Sequence, residues 1–503
     1  MATRYSVATG NWNATSTWAT SSEGTAGASV PATGDRAIIE GGDTVTLTGH
    51  TTTGGCDIDG AGGTTLVGGG FTLTCDGDGA GTTFDHDGTI SGNLDVVLDG
   101  AADDTNRHLD LGGSGGSIRN LTLNNDGTTW TTKDSASVIS GNLTITAGTL
   151  DTGSDVALTV TGATSVTGTL TCNASAVSLG TGVTSDYGLS VNTNGTFVGG
   201  SGTHTMGSIS VANSAAAVCT LTSGVTTING EHSSNNRNLN VKGTDGVLNH
   251  GSGTVTITYA GTSAIQELSG TLALNNLIIN HASAHISLKS ILTLAGTLTV
   301  TAGTFTTDSN NYALTVAEIT TVHDTLLLNG STVNLGIAYT GDWALEGSGG
   351  PTINMGSATV NVGSMNLPNG TNTLTSGTLT LTSKKASSDQ ILHADTLAHN
   401  GGTVVITTAA NGTIDCAAGG GAILNNLTIN GSGRVYSLDN QNLQLAGNLT
   451  ITAGTLTTLD GGTSRGLTVA GHVSVTGTLT GNASAISVGS MIVNASGTYT
   501  ATS

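Results

Sequence analysis

Proline occurs three times in this chain of 503 residues, aromatic side chains make up 3% and charged ones 9%. Each shortage excludes something. Disordered chains carry abundant proline and a high charge per residue, so this composition does not describe one. Lys and Arg total 12 against 33 Asp and Glu, for a net charge of −21. Neutralising phosphates takes clustered cations, so a simple electrostatic role on nucleic acid is excluded. The acidic balance favours solubility and cation uptake instead. No run of about 18 apolar residues exists, so no membrane insertion is expected. The opening MATRYSVATGNWNATSTWAT lacks the apolar core of about 7 to 15 residues that a Sec signal needs. Cys56, Cys75, Cys172, Cys219 and Cys416 are too few and scattered for a disulfide framework. A chain made in the cytoplasm and released by another route fits both of these last facts.

What is present is a strand pattern. Leu, Ile and Val alternate with Thr, Ser and Asn, and the alternation breaks at Gly, Asn or Asp every few residues, as in LTITAGTL and LTVTGATSVTGTLTCNAS. Period two gives each strand an inward and an outward face, and Gly and Asn supply the positive φ of sharp corners. With 77 glycines, each costing about 1 kcal/mol in a helix interior, long helices are excluded. The chain is all-β.

A long repeat runs through it. Ile118-Arg119-Asn120-Leu121-Thr122-Leu123-Asn124 returns as Leu274-Asn275-Asn276-Leu277-Ile278-Ile279-Asn280 and as Leu424-Asn425-Asn426-Leu427-Thr428-Ile429-Asn430. The spacings are 276 − 120 = 156 and 426 − 276 = 150. Each copy is followed by a second phrase, GNLTITAGTL from Gly141, GTLTVTAGTF from Gly296 and GNLTITAGTL from Gly447. Single strands of this kind cannot bury their apolar face, but stacked turns about 4.8 Å apart can. We therefore expect a right-handed parallel β-helix (β-solenoid) with an N-terminal cap and three long internal repeats, the last cut short. At roughly 20 residues a turn this gives about 25 turns. Separate sandwiches would call for more core aromatics than four Phe and four Trp.

The parts follow from the landmarks. Residues 1–50 form a cap or attachment region, 51–117 the first solenoid turns with an acidic ladder, 118–273 and 274–423 two long repeats, and 424–503 a truncated third. Trp12 and Trp18 are read as cap residues, with partner attachment as their other role. The third repeat shows no distinct cap sequence, so its end is expected to dock on a partner or to self-associate. Cys56-Asp57-Ile58-Asp59-Gly60-Ala61-Gly62 recurs as Cys75-Asp76-Gly77-Asp78-Gly79-Ala80-Gly81, an offset of 75 − 56 = 19. If 19 residues make a turn there, Cys56 lies over Cys75, Asp57 over Asp76 and Asp59 over Asp78.

The opening W…W…GASVP…GD…VTL, the "LNNLTIN" phrase and "GNLTITAGTL" resemble the low-complexity β-solenoid proteins of bacteriophage virion surfaces (fibres, spikes and decorations), and similar repeats in bacterial surface adhesins. The likeness covers almost the whole chain, and its motifs encode fold rather than activity. It implies an extracellular or virion-surface rod, homo-oligomeric with a trimer favoured, bound to other virion proteins and in contact with host surface glycans.

Candidate chemistry is sparse. Stacked like charges about 5 Å apart repel unless solvated or bridged by a cation. Asp57, Asp59, Asp76 and Asp78, with Asp85 and Asp87 beyond, are thus read as a solvated acidic corner or a Ca²⁺ site; hard oxygen ligands suit that ion, and no other cofactor is called for. Cys56 and Cys75 are either small buried residues or a disulfide. His86, His250 and His399 recur at one repeat position and are read as corner residues. Asp99, Asp103, Asp104, Arg107 and Asp110, with Trp130 and Lys133, form the one irregular group that suggests a carbohydrase. The scarcity of aromatics for sugar stacking argues against it. The leading expectation is a non-enzymatic structural protein of a phage virion surface. A bacterial adhesin or filament subunit and a polysaccharide-degrading β-helix enzyme are the alternatives.

Overall fold

A computed structural model describes residues 2–77, 84–100, 107–112, 115–133, 136–243, 245–268, 270–395, 397–416 and 424–501. They form a parallel β-solenoid of about 20 turns, divided into two compact units. The first holds 1–255 with 267–269, and the second 256–266 with 270–503. Among the described residues the only helical pieces are two three-residue turns, Thr15–Thr17 and Ala61–Gly63.

Within each unit every turn contributes short strands to parallel ladders, and the alternation of the sequence sets what is buried. In Leu158–Val160 the two apolar ends are buried and Thr159 is exposed, and in Thr196–Val198 Phe197 is buried between two partly exposed neighbours. One inward column of the first unit runs Trp130, Leu150, Leu170, Phe197, Cys219, each the ladder partner of the next. All five are buried. Each buried side chain of this size contributes about 1.5–3 kcal/mol, so the core is a sum of many such columns.

The repeated phrases have a mechanical reason. Asn120 Oδ1 accepts the backbone N–H of Asn142 on the next rung at 2.8 Å. Asn276 does the same for Thr297 and Asn426 for Asn448, both at 2.9 Å. Further round the turn, Thr152 and Ser175, Thr307 and Ser331, and Thr458 and Ser484 pair their hydroxyls at 2.7 Å. Asn173, Asn329 and Asn482 take positive φ at one corner, and their amides reach back a rung to Asp151, Thr306 and Thr457. These contacts replace water at corners where backbone groups leave the ladder.

The turns are unequal. Ala37 pairs with Cys56, a step of 56 − 37 = 19 residues, whereas Cys56 pairs with Phe84, a step of 84 − 56 = 28. Longer turns are why about 20 are found where a constant period gives 25.

The first turns bury both of their tryptophans. Trp12 and Trp18 meet edge to face, with ring centroids 5.1 Å apart and planes at 71°. Trp18 Nε1 donates to the Trp12 carbonyl at 2.7 Å. Trp18–Ala19 folds back antiparallel on Thr3–Ser6, covering the first parallel edge.

Candidate functional site

The register corrects the expected stacking of the acids. Cys56 and Cys75 are not ladder partners: Cys56 lies between Ala37 and Phe84, and Cys75 between Thr53 and Leu98. A 19-residue turn does exist, but it joins Ala37 to Cys56, and the CDxDGAG likeness falls on two different ladders. Both cysteines are buried, as are Cys172, Cys219 and Cys416. Burial pushes the Cys219 thiol up to about 12, so it is inert rather than nucleophilic.

Asp57 therefore stacks not on Asp76 but on Asp85. Phe84 pairs with Leu109, and the Asp110 amide donates to the Phe84 carbonyl at 3.1 Å. The Lys133 amide donates in turn to the Leu109 carbonyl at 3.2 Å. The column reads Asp57, Asp85, Asp110, Lys133. Carboxylate oxygens of Asp85, Asp87 and Asp110 all lie within 4.8 Å of one another. Arg36 closes the other end at 3.2 Å from Asp57. Of the four acids first expected to share a site, Asp57 alone stacks on this group. Asp59 accepts the Ala61 amide, Asp76 accepts the Gly34 amide, and Asp78 lies outside the described residues.

Crowding shows in the acidities. Burial first, then the charges of Asp57, Asp87 and Asp110, push Asp85 up to about 6, with Lys133 opposing. Burial also raises Asp57, against the pull of Arg36. The cluster has two ways to relieve its repulsion: a proton held near pH 6, or a hard cation among its oxygens.

The same ladder position recurs ahead of each Asn-Leu phrase. The Lys289 amide donates to the Ile265 carbonyl at 3.1 Å, and the Asp439 amide to the Ile414 carbonyl at 3.0 Å. Gln266 and Asp415 thus stand where Asp110 stands in the first unit, and all three are almost fully buried. In the second unit the column reads Asn366, His393, Asp415, Asp439. His393 Nδ1 lies 2.9 Å from Asp415 Oδ2, and Asn440 Nδ2 donates to the same oxygen at 2.9 Å. Lys289 pairs with Asp308. Sequence reading missed this position, although its signal is present: a polar residue closes a short strand ten or eleven residues before Asn120, Asn276 and Asn426.

The other candidates separate. Trp130 has 0% exposure, so its ring is not on offer to a sugar. Asp99 accepts a hydrogen bond from Asn124. Asp103, Asp104 and the Arg107 side chain lie outside the described residues. Trp12 and Trp18 are 2% and 0% exposed, inside the first turns. The three histidines do not share one environment. His250 Nδ1 accepts the Ser252 amide at an exposed corner, and His399 lies beside Leu374 and Thr403. His86 is instead an inward core residue, stacked on Ile58, and burial lowers its pKa.

Compared with known proteins, the chain matches no family model, no curated protein and no solved structure.

Proposed function

We propose that this chain is a non-enzymatic structural protein of a bacteriophage virion surface, a fibre, spike or capsid decoration. The observation that carries the reading is where the chemistry-bearing side chains lie. The aromatic ring that a carbohydrase would set against its sugar, Trp130, is in the core, and Asp110 is 5% exposed. Asp57, Asp85 and Asp110 stand in one ladder, rung upon rung. Glycosidases need two carboxylates of separate roles facing a cleft, whereas this ladder crowds like charges between Arg36 and Lys133. The motif likeness to virion-surface solenoids points the same way. Self-association, with three chains favoured, and attachment to other virion proteins belong to this proposal.

The test is to purify particles from a lysate and label them with antibodies against the second unit. Gold on intact particles is the expected result. Particles without label, or release of reducing sugar from host glycans by the purified chain, would overturn it.

A further inference from the structure

The three long repeats bend at one place, and the second fills the bend with a side chain where the first and third carry glycine. Each turns a corner at a glycine of positive φ: Gly148 (76°), Gly303 (93°) and Gly454 (86°). On the following rung Val166, Val322 and Val475 lie beside Ile145, Val300 and Ile451. Two residues on, the matching positions are Gly168, Asp324 and Gly477. At the second corner Asp324 Oδ2 accepts a hydrogen bond from the Gly303 amide at 2.7 Å. That corner is filled by an oxygen of its own chain.

At the first corner Gly168 has no side chain to do this, and a groove of about 500 Å³ lies there. Gly148, Asp126, Thr129, Thr149, Thr169 and Asn194 line it. Thr129, Thr149 and Thr169 are successive ladder partners, so their side chains recur about 4.8 Å apart along the groove.

We propose that this groove binds a short neutral glycan segment, with a sugar hydroxyl oxygen taking at Gly148 the place that Asp324 Oδ2 takes at Gly303. An anion is disfavoured, because Asp126 and the net charge of −21 repel it and no cation is among the described lining residues. An apolar ligand would strip water from threonine hydroxyls and give nothing back. Sugar hydroxyls donate to Asp126 and accept from the amides of Gly148 and Asn194, so they match both kinds of group. The source of such a glycan, a host surface, rests on the virion-surface reading above.

The experiment presents the full chain to an array of neutral hexose and N-acetylhexosamine glycans alongside uronate-bearing ones. Neutral members are retained. Thr169→Tyr, which fills the groove, and Thr149→Val each weaken retention about tenfold or more while leaving the strand circular dichroism unchanged. Thr325→Tyr, the matching change at the filled second corner, leaves retention as it was. Failure to retain any neutral glycan, preference for the acidic ones, or indifference to both groove variants would overturn the proposal. Particles labelled by antibody but blind to glycans would remove the groove and keep the virion reading. Glycan retention by a chain absent from particles would do the reverse.

Discussion

One ladder position is solved in two ways. In the first unit the column Asp57, Asp85, Asp110, Lys133 concentrates like charge and relieves it at its ends, with Arg36 on one side and Lys133 on the other. In the second unit the column Asn366, His393, Asp415, Asp439 spends its buried carboxylate on direct partners, His393 and Asn440. Both columns run along parallel ladders, so the difference teaches that such a ladder accepts either filling. The outward column is free to be a strained cluster or a satisfied one.

The comparison breaks most sharply at its buried acids. Asp415→Ala leaves His393 and Asn440 without their shared acceptor, and we expect a loss of about 2–3 kcal/mol in urea unfolding. Asp110→Asn, which keeps the shape and removes a repelling charge, is expected to cost less than that or to stabilise. Equal losses at the two positions would mean that the ladders are equivalent after all.

Acid then separates the units. The folded pKa of Asp85, about 6, lies above its ordinary value of 3.8, so the folded state binds the extra proton between those limits. Its contribution to stability is fully present below pH 3.8 and is lost as pH rises through 6. Because the group is half exposed, solvent screening holds the effect to about 1 kcal/mol. Asp85→Asn should therefore raise stability at pH 7 by about that amount and flatten the slope between pH 4 and 6. An unchanged slope would show that Asp85 is not the proton holder.

A smaller effect tests the rung-to-rung amides that both units share. Asn120→Ala and Asn426→Ala remove the acceptors of the Asn142 and Asn448 amides, and each is expected to cost about 1 kcal/mol with faster hydrogen exchange at those amides. The smallest expected effect is that of calcium. With Arg36 and Lys133 relieving the cluster at its two ends, melting in Ca²⁺ and in EDTA should coincide. A rise in Ca²⁺ that Asp110→Asn abolishes would make the cluster a cation site.

Alternation made the fold legible in the sequence. A Leu-Thr-Val triplet declares its inward face whatever surrounds it, and the Asn-Leu phrase marks the same corner three times because Asn120, Asn276 and Asn426 all do the same mechanical work. Turn length was not legible. A period of two sets faces, but no local preference says how many residues a corner holds, so the CDxDGAG likeness suggested a phase that the ladder does not have. The site was half legible for the same reason. Sequence puts Asp85 and Asp87 in one cluster and Asp110 with Lys133 in another, and only the turn from Phe84 to Leu109, a step of 109 − 84 = 25 residues, brings them together. His86 shows the limit on single residues, since a histidine two residues ahead of a glycine resembles a corner until its rung, beside Ile58, places it in the core.

The central claim is the register of the first unit, and a crosslink tests it directly. Rungs about 4.8 Å apart are within disulfide reach. The pair Asp57→Cys with Asp85→Cys should oxidise to one disulfide-linked peptide, read by mass spectrometry, while Asp57→Cys with Asp76→Cys should stay reduced. The opposite pattern, Asp57→Cys joined to Asp76→Cys, would restore the 19-residue stacking and contradict the account.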